Sequence, residues 1–477
     1  MSNLRTCLVG CHKCMSGFGR WNASRRLLVH WPRKNSSSTL IHPSRRMSHG
    51  SSPVLPFQPC FDLKLLSDQN FIREMRDNIM ARESPVDFER LLELYKRFTA
   101  GEKDATQAEL LQLIRMLPNT THPLTPVGDY SKARLIYLHG AKPTVNWKLQ
   151  DAVALASLLP SSLPSGATKS TSVFNPAPHL RVKHTTVGAG PRTYYFGGPL
   201  AHLENALVTY ALKRITGIGF ALVSVPDILP ESLIEACGFP TRGVRSQVYK
   251  LCSPANQLTY CLSGTSEMAL GGFCAGRTFD PGEATDTAQN TATALGLCAA
   301  SRCFRQEVPN QEDSLYRVHQ FTKVEMFGLT APSAAVSDAM FDRILKIQIH
   351  LFADLGLHFR VLEMPTGELG NPAHRKVDIE AWMPGSQMYG EISSTSSCLD
   401  YQSRRLNIRW TLPSREERFA HTLNGTACAV PRVMKALLET HQNQDGTVNI
   451  PEVLIPILTK QGAFKLPYPA FRLKQTS

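Results

Sequence analysis

The chain has 477 residues, of which 42% are hydrophobic and 19% charged, and this composition is typical of a globular protein with room for two or three domains. It excludes intrinsic disorder, collagen and small disulfide-rich scaffolds, and the lack of any long apolar run also excludes a membrane span. The net charge of +13 is uneven, because the first 61 positions hold nine of the 52 basic residues and none of the 39 acidic ones.

Residues 1–50 are basic, rich in serine and free of acidic residues, and they lack the long apolar core of a secretory signal. That composition is typical of a mitochondrial transit peptide. A cationic segment gains on the order of 2 kcal/mol per charge from each 100 mV of a negative-inside potential. The segment therefore predicts import into the mitochondrial matrix, with cleavage between Arg46 and Ser52. The alternative is a basic tail with another role.

Residues 51–123 predict a short N-terminal helical hairpin. Apolar residues at helical spacing predict helices over Phe61–Arg82, Phe88–Phe98 and Ala108–Met116, with Gly101 between the second and the third. A leg of about eleven residues spans only about 17 Å, at 1.5 Å per residue.

Residues 124–190 are rich in Pro, Ser, Gly and Thr and show no strong period, which predicts a connector into a main domain over 191–477. A helix is expected to begin at Gly198. Alternating and helical periods in the main domain indicate an α+β fold, with an antiparallel sheet flanked by helices. The strands are expected at Phe220–Val225, His358–Met364, Val377–Trp382, Tyr389–Ser394 and Arg404–Thr411, and two further helices at Ala335–Leu355 and Ala427–Gln442.

The sequence contains no glycine-rich phosphate loop of the Rossmann or Walker type, so a nucleotide would have to be bound by side chains. Charged residues inside strand-like stretches are informative, because burying a charge is costly unless it is paired or meets a ligand. Composition alone would assign each of them to a salt bridge within the sheet. They occur in the segments Thr265–Glu267, Phe304–Glu307, Arg317–Glu325 and Glu391–Ser394 and at Arg432.

Taken together, these segments resemble the three signature motifs of class II aminoacyl-tRNA synthetases, and within that class the seryl-tRNA synthetases of the mitochondrial type. The resemblance runs from Asp62 to Ile457 and is most specific in the run Leu315–Glu325. It implies the class II fold, an antiparallel sheet flanked by helices, here preceded by a short helical hairpin. The helix from Gly198 and the strand ending at Pro226 match motif 1, which implies a homodimer or a heterodimer with a paralogue.

The resemblance also implies an ATP site in motifs 2 and 3. Arg305 would hold the α-phosphate and the seryl carboxylate, and Arg432 would bind the γ-phosphate, so both would be catalytic in an active enzyme. Fixed cations of this kind stabilise the charge that builds on a leaving pyrophosphate. Glu307 would accept a hydrogen bond from the adenine amine, Phe321 would stack on the purine, and Arg317 also matches this site.

Two further sets of residues match the family. Glu391 and Ser394 would bind Mg²⁺ when ATP is present. In the serine pocket, acidic side chains would receive the ammonium group and small polar groups the hydroxyl. The residues that match this pocket are Thr265, Glu267, Arg305, Glu325, Asn424 and Thr426.

Three departures from the family weigh against catalysis. The loop between Glu307 and Arg317 is short, lacks the usual glycines, and carries Pro309 and two acidic residues, which restrict the backbone and repel phosphate. Ser396–Ser397 stands where the family has Ser-Asn. The N-terminal hairpin is much shorter than the coiled-coil arm that grips serine tRNA.

These departures resemble the seryl-tRNA synthetase-like insect mitochondrial proteins, which are paralogues without aminoacylation. That resemblance implies binding of mitochondrial tRNA, serine tRNA first of all, pairing with the genuine mitochondrial seryl-tRNA synthetase, and a link to the Lon protease. The sequence therefore favours a non-catalytic tRNA-binding protein that supports mitochondrial translation. The retained motif residues leave open an active serine–tRNA ligase that uses ATP and Mg²⁺, or an enzyme acting on another acyl acceptor.

Basic residues outside the motifs offer two candidate RNA contacts. One cluster comprises Arg242, Arg245 and Lys250, and the other comprises Arg404, Arg405 and Arg409. Such clusters bind phosphates in a salt-dependent way. Salt bridges within the fold are the alternative for each.

Overall fold

The computed structural model describes residues 61–102, 104–157, 173–174, 179–182, 190–243, 246–251, 259–280, 294–307 and 315–460. The predicted transit peptide lies outside these residues, as does most of the loop between Glu307 and Arg317. Within the described ranges, no helix is both long and apolar enough to cross a membrane.

Three N-terminal helices pack around a small apolar core of their own. Asp68 caps the first of them by accepting a hydrogen bond from the backbone N–H of Asn70, so this helix begins well after the predicted Phe61. Residues Leu63–Ser67 form a separate 3₁₀ turn. The helices are α1 (Gln69–Ala81), α2 (Phe88–Thr99) and α3 (Asp104–Met116).

Arg82 fastens the helical region to the main domain. It follows α1 directly and is buried, and its guanidinium donates to the carbonyl oxygens of Thr120 (3.1 Å) and Ala373 (2.8 Å) and to the hydroxyl of Thr121 (2.8 Å). Burial lowers the pKa of Arg82 to about 10, so the side chain keeps its charge at neutral pH.

Replacing Arg82 with methionine is expected to destabilise the protein by about 2 to 4 kcal/mol, because buried carbonyl oxygens lose their donor. Denaturant unfolding of the full chain measures this change. Arg73→Met, on the exposed side of α1, is the control and should shift stability by less than about 0.5 kcal/mol. Equal unfolding midpoints for Arg82→Met and the parent protein would contradict the prediction.

An eight-stranded sheet forms the centre of the main domain, in the order β1-β5-β6-β7-β8-β4-β3-β2. Neighbouring strands are antiparallel except for β2 and β3, which run parallel, so the predicted antiparallel sheet is confirmed. The strands are β1 (Arg134–His139), β2 (Ala221–Leu222), β3 (Ala294–Phe304), β4 (Gln320–Thr330), β5 (Phe359–Glu363), β6 (Arg375–Met383), β7 (Met388–Leu399) and β8 (His421–Ala429).

Both faces of the sheet are covered. On one face α8 packs against β7 and β8, so closely that a Cβ on Gly425 of β8 would lie 2.3 Å from Cγ2 of Ile344. On the other face α7 packs against β3 and β4. The helices of the main domain are α4 (Ala152–Ser157), α5 (Gly198–Gly217), α6 (Glu231–Ala236), α7 (Ser266–Cys274), α8 (Ala334–Asp354), α9 (Tyr401–Leu406), α10 (Val430–Thr440) and α11 (Ile455–Lys460).

Short strands complete the described architecture. They form small sheets beside the central one and come from segments of two or three residues. Their ranges are Val173–Phe174, Leu180–Arg181, Tyr195–Phe196, Ile228–Pro230, Lys250–Leu251, Tyr260–Leu262, Thr278–Phe279, Arg409–Thr411, Glu417–Phe419 and Val448–Asn449.

The predicted strand over Arg404–Thr411 is wrong. Its first half belongs to helix α9, which ends at Asn407 in the left-handed conformation (φ 50°), and only Arg409–Thr411 is extended. The alternation was nevertheless real, because a helix end followed by a strand buries the same three side chains. These are Leu406, Ile408 and Trp410.

Two other boundaries differ from the prediction. Helix α10 begins at Val430 rather than at Ala427, because the preceding residues continue β8. Pro431 has no N–H to donate and therefore suits the first turn of a helix. Strand β2 is only two residues long where Phe220–Val225 was predicted.

Candidate active site

Predicted site residues from two strands lie on the face of the sheet opposite α8. Alternation along β4 places Phe321, Lys323 and Glu325 on one side of the strand. On β8, Asn424 and Thr426 share that side, because the glycine between them faces α8. Glu325 and Thr426 are direct partners in the β4–β8 register.

A bulge in β7 brings Glu391 and Ser394 to the same side. Residues three apart on a regular strand point to opposite faces. Here Ile379 pairs with Ser393 and Glu380 with Glu391, so Ile392 is an extra residue that reverses the alternation. The bulge therefore places the Glu391 carboxylate and the Ser394 hydroxyl on the same side of β7.

These oxygen donors suit Mg²⁺, which is commonly held by one or two carboxylates together with phosphate oxygens of a substrate. Within the described part of the chain, no cluster of three or more His, Cys, Asp or Glu side chains could hold a metal by itself. A cation at Glu391 and Ser394 would therefore need further ligands from a bound phosphate.

Arg432, in the first turn of α10, binds Glu391. Its Nη1 donates to Oε2 of Glu391 at 3.1 Å. Burial raises the pKa of Glu391, but the charges of Arg432, Lys376 and Arg305 outweigh it and hold the pKa at about 2. The carboxylate is therefore ionised at every physiological pH.

A small cavity lies beside this ion pair. Three of the residues matched to the ATP site, Glu307, Phe321 and Arg432, belong to its wall. Apolar groups supply most of the rest. The lining residues are Glu307, Leu315, Tyr316, Val318, Phe321, Pro431 and Arg432.

Two further ATP-site matches, Arg305 and Arg317, each contact a residue of the cavity wall. Arg305 follows β3 directly, and its Cζ lies 5.3 Å from the centre of the Phe321 ring. Nη1 of Arg317 lies 3.5 Å from Oε2 of Glu307. Arg192, which was not predicted, donates from Nη1 to the carbonyl oxygen of Glu307 at 2.6 Å.

Thr265 and Glu267 lie at the start of helix α7, so the prediction that they belong to a strand-like stretch is wrong. Oγ1 of Thr265 accepts a hydrogen bond from the N–H of Glu267 (3.3 Å) and caps the helix. Glu267 is buried in the first turn. Its Oε1 accepts from Nε2 of Gln402 (2.7 Å) and from Nδ2 of Asn424 (2.9 Å).

Lys323 and Glu325 form a buried ion pair next to this helix start. Nζ of Lys323 lies 2.5 Å from Oε2 of Glu325 and donates to Oγ1 of Thr265 at 2.7 Å. Oγ1 of Thr426 also donates to Oε2 of Glu325, at 3.1 Å. The structure thus brings Thr265, Glu267, Glu325, Asn424 and Thr426 together in one polar pocket.

Glu267 is the poorly neutralised carboxylate of this pocket. Burial raises its pKa to about 7 and the charge of Glu325 adds to the rise, while Gln402, Lys323 and Asn424 oppose it. Because this pKa lies above its usual value, the native state binds the proton more tightly than the unfolded chain does. Stability contributed by this group is therefore lost as pH rises from about 4.5 to about 7.

Two residues of the pocket were not predicted. Lys323 lies two positions before Glu325 on β4, so strand alternation alone would have placed it on the same face. Gln402 comes from α9, which begins before the strand predicted at Arg404, and no sequence signal indicated it.

The predicted basic clusters make internal contacts. Nζ of Lys250 lies 2.5 Å from Oε1 of Glu231, and Nε of Arg242 lies 3.5 Å from the same atom. In the second cluster, Arg404 pairs with Asp400 at 2.6 Å and Arg405 is buried. Arg245 lies outside the described residues. Salt bridges within the fold account for much of this charge.

The central part of the chain matches a known protein family. Residues 292–441 match the family described as the tRNA synthetase class II core domain (G, H, P, S and T). This segment includes the strands β3 to β8 and helix α10. It therefore contains most of the cavity wall and of the polar pocket.

Similarity to individual proteins extends further. The chain is 40% identical over 370 residues to the mitochondrial serine–tRNA ligase of Mus musculus, covering 77% of this chain and 66% of that protein. It is 35% identical over 401 residues to the serine–tRNA ligase of Rhodopirellula baltica, covering 81% and 84%. The chain spans less than two thirds of the mouse protein and of the Bos taurus mitochondrial enzyme, 66% and 61%.

A solved structure shares the fold over most of the chain. The seryl-tRNA synthetase from Pyrococcus horikoshii complexed with ATP superposes with a TM-score of 0.67 and 26% identity. The match covers 84% of this chain and 98% of that one. The central sheet and its helices are therefore those of a class II synthetase.

Proposed function

Because the chain belongs to the serine–tRNA ligase family of class II aminoacyl-tRNA synthetases, we propose that it joins serine to tRNA in mitochondria at the expense of ATP. The serine carboxylate attacks the α-phosphorus, pyrophosphate leaves, and the tRNA hydroxyl then displaces AMP. The names of the mouse, cattle and fission yeast relatives support a mitochondrial location. The basic leader supports the matrix.

The observation that carries this proposal is the unbalanced charge of the polar pocket. Glu267 and Glu325 are both buried, and Lys323 pairs with Glu325. Among the described residues, no cation forms an ion pair with Glu267. Glu267 receives amide N–H groups instead. Residues kept only to hold a sheet together would balance their charges, since an unpaired buried charge is strongly destabilising. An α-ammonium group would pair with Glu267 in its ionised form.

The side chains around the cavity suit ATP, the second substrate of the proposed reaction. Arg305 and Arg432 supply two fixed cations that would stabilise charge on the leaving pyrophosphate. Phe321 offers apolar surface to a purine. Mg²⁺ bound at Glu391 and Ser394 would supply Lewis-acid stabilisation of the phosphates.

A second candidate function is non-catalytic tRNA binding, and the length of the helical hairpin favours it. Helices α2 and α3 have 12 and 13 residues, or about 18 to 20 Å each, which is short for a tRNA-gripping arm. In this case the chain would be a seryl-tRNA synthetase-like insect mitochondrial protein. It would bind serine tRNA, as a homodimer or paired with the genuine seryl-tRNA synthetase, and support translation with a link to the Lon protease.

Serine-dependent pyrophosphate exchange separates the two candidates. The purified protein is assayed alone and after co-expression with the mitochondrial seryl-tRNA synthetase, with calorimetric titration of ATP in parallel. We expect exchange by the protein alone. Absence of both exchange and ATP binding, with tRNA still bound, would overturn the ligase and leave the second candidate.

A further inference from the structure

Tyr316 touches both charged groups beside the cavity. Its carbonyl oxygen accepts a hydrogen bond from Nε of Arg432 (3.1 Å), and its ring centre lies 4.5 Å from Cζ of the same side chain. Its hydroxyl oxygen accepts from the backbone N–H of Glu391 at 2.6 Å. A Cβ on Gly390 would lie only 2.7 Å from Cε2 of Tyr316, so the glycine makes room for the ring. One residue therefore links β7, α10 and the segment before β4.

The ion pair that Tyr316 supports occupies both groups that the family resemblance assigns to Mg²⁺ and ATP. Arg432 Nη1 contacts the carbonyl oxygen and Oε2 of Glu391, each at 3.1 Å. An anion binding alone at Arg432 would leave the carboxylate unpaired, and a cation binding alone at Glu391 would leave the guanidinium unpaired. A cation and a phosphate that bind together leave neither side chain without a partner of opposite charge.

Arg432 keeps most of its contacts when Glu391 turns to a cation. It loses Oε2 of Glu391 but retains two backbone carbonyl oxygens and the ring of Tyr316. Among the described residues, none accepts a hydrogen bond from its Nη2. That nitrogen can therefore donate to an anion in the cavity.

We propose that Tyr316 is a positioning residue that holds Arg432 at the cavity while the Arg432–Glu391 ion pair is exchanged for Mg²⁺ and a triphosphate. This inference rests on the proposed function and specifies how its ATP site is prepared. Tyr316 acts through Arg432 and Glu391 rather than on the reacting phosphorus. Because Arg432 and Glu391 both regain a partner of opposite charge only when the cation and the phosphate arrive together, ATP and Mg²⁺ bind as a unit.

The test compares Tyr316→Leu, which removes the ring and the hydroxyl, with Tyr316→Phe, which keeps the ring over Arg432. Tyr389→Leu is the control, because Tyr389 lies two residues before Glu391 on β7 and packs against Trp382 instead. Calorimetry of the full-length protein measures the dissociation constants of ATP, with and without Mg²⁺, and separately that of serine.

We expect Tyr316→Leu to weaken binding of Mg²⁺–ATP by about tenfold or more, and Tyr316→Phe by about threefold or less, because the ring contact with Arg432 persists. Serine binding should stay within about twofold in both, and Tyr389→Leu should leave ATP binding unchanged. Equal ATP binding by the parent and Tyr316→Leu, or a parallel loss of ATP and serine binding, would overturn the inference. No ATP binding by the parent protein would overturn the proposed function as well.

Discussion

Replacing Arg305 with glutamine is expected to slow serine-dependent pyrophosphate exchange by about 10² to 10³-fold. The guanidinium lies beside the Phe321 ring and close enough to Glu391 to lower the pKa of that carboxylate, so its charge reaches the cavity where phosphate would lie. Glutamine keeps hydrogen-bonding capacity but loses the charge that stabilises the pentacoordinate phosphate. The initial exchange rate at saturating ATP and serine measures the effect.

Arg302→Gln is the matched control for this experiment. Arg302 lies on β3, three residues before Arg305, which directly follows that strand. It donates from Nη1 to Oγ1 of Thr322 (2.8 Å) near Glu204. It is thus a nearby basic residue whose partners do not line the cavity. Exchange by Arg305→Gln within about tenfold of the parent rate, with Arg302→Gln equally active, would contradict a catalytic role for Arg305.

Several elements of the fold could be predicted from sequence because their apolar spacing is regular. Apolar spacing located helices α5 and α8 and at least part of each of the strands β5 to β7, but it did not locate the long strands β3, β4 and β8. Strand β1 was not predicted, because Leu135–Leu138 are four consecutive apolar residues and show no alternation. It forms an edge of the central sheet within the segment predicted as a connector, and Leu135 and Leu138 remain exposed.

The residue types of the site could be predicted, but its geometry could not. Motif resemblance identified Glu391 and Ser394 as site residues. Their side chains lie on the same side of β7 only because of the bulge at Ile392, and this bulge is visible only in the pairing of β7 with β6. The resemblance identified Glu267 as well, but the charge imbalance there depends on the approach of Gln402 from α9. Contacts between segments far apart in sequence produce no local periodicity, so they cannot be predicted from the spacing of residues.

Glu267→Gln is expected to weaken serine binding by about 30 to 5,000-fold, because a buried carboxylate that receives an ammonium group contributes about 2 to 5 kcal/mol. In the parent protein the pKa of Glu267 is raised to about 7 by burial and by Glu325, and serine should bind the ionised form. Serine affinity should therefore rise with pH up to about 7 and then level off. Calorimetry at several pH values, in buffers of different ionisation enthalpy, measures both the affinity and the released proton.

The ligand-free stability of the same variant separates a binding role from a structural one. Ionised Glu267 costs the native state stability, because its raised pKa favours the proton, so Glu267→Gln should be at least as stable as the parent above pH 7. A carboxylate retained as a structural partner would show the opposite, a large loss of stability on substitution. Glu235→Gln is the control and should leave serine binding unchanged. Glu235 lies on α6, and its carboxylate accepts a hydrogen bond from the hydroxyl of Thr241. A destabilised Glu267→Gln that still binds serine would contradict the ammonium-binding role and favour a fold kept for RNA binding alone.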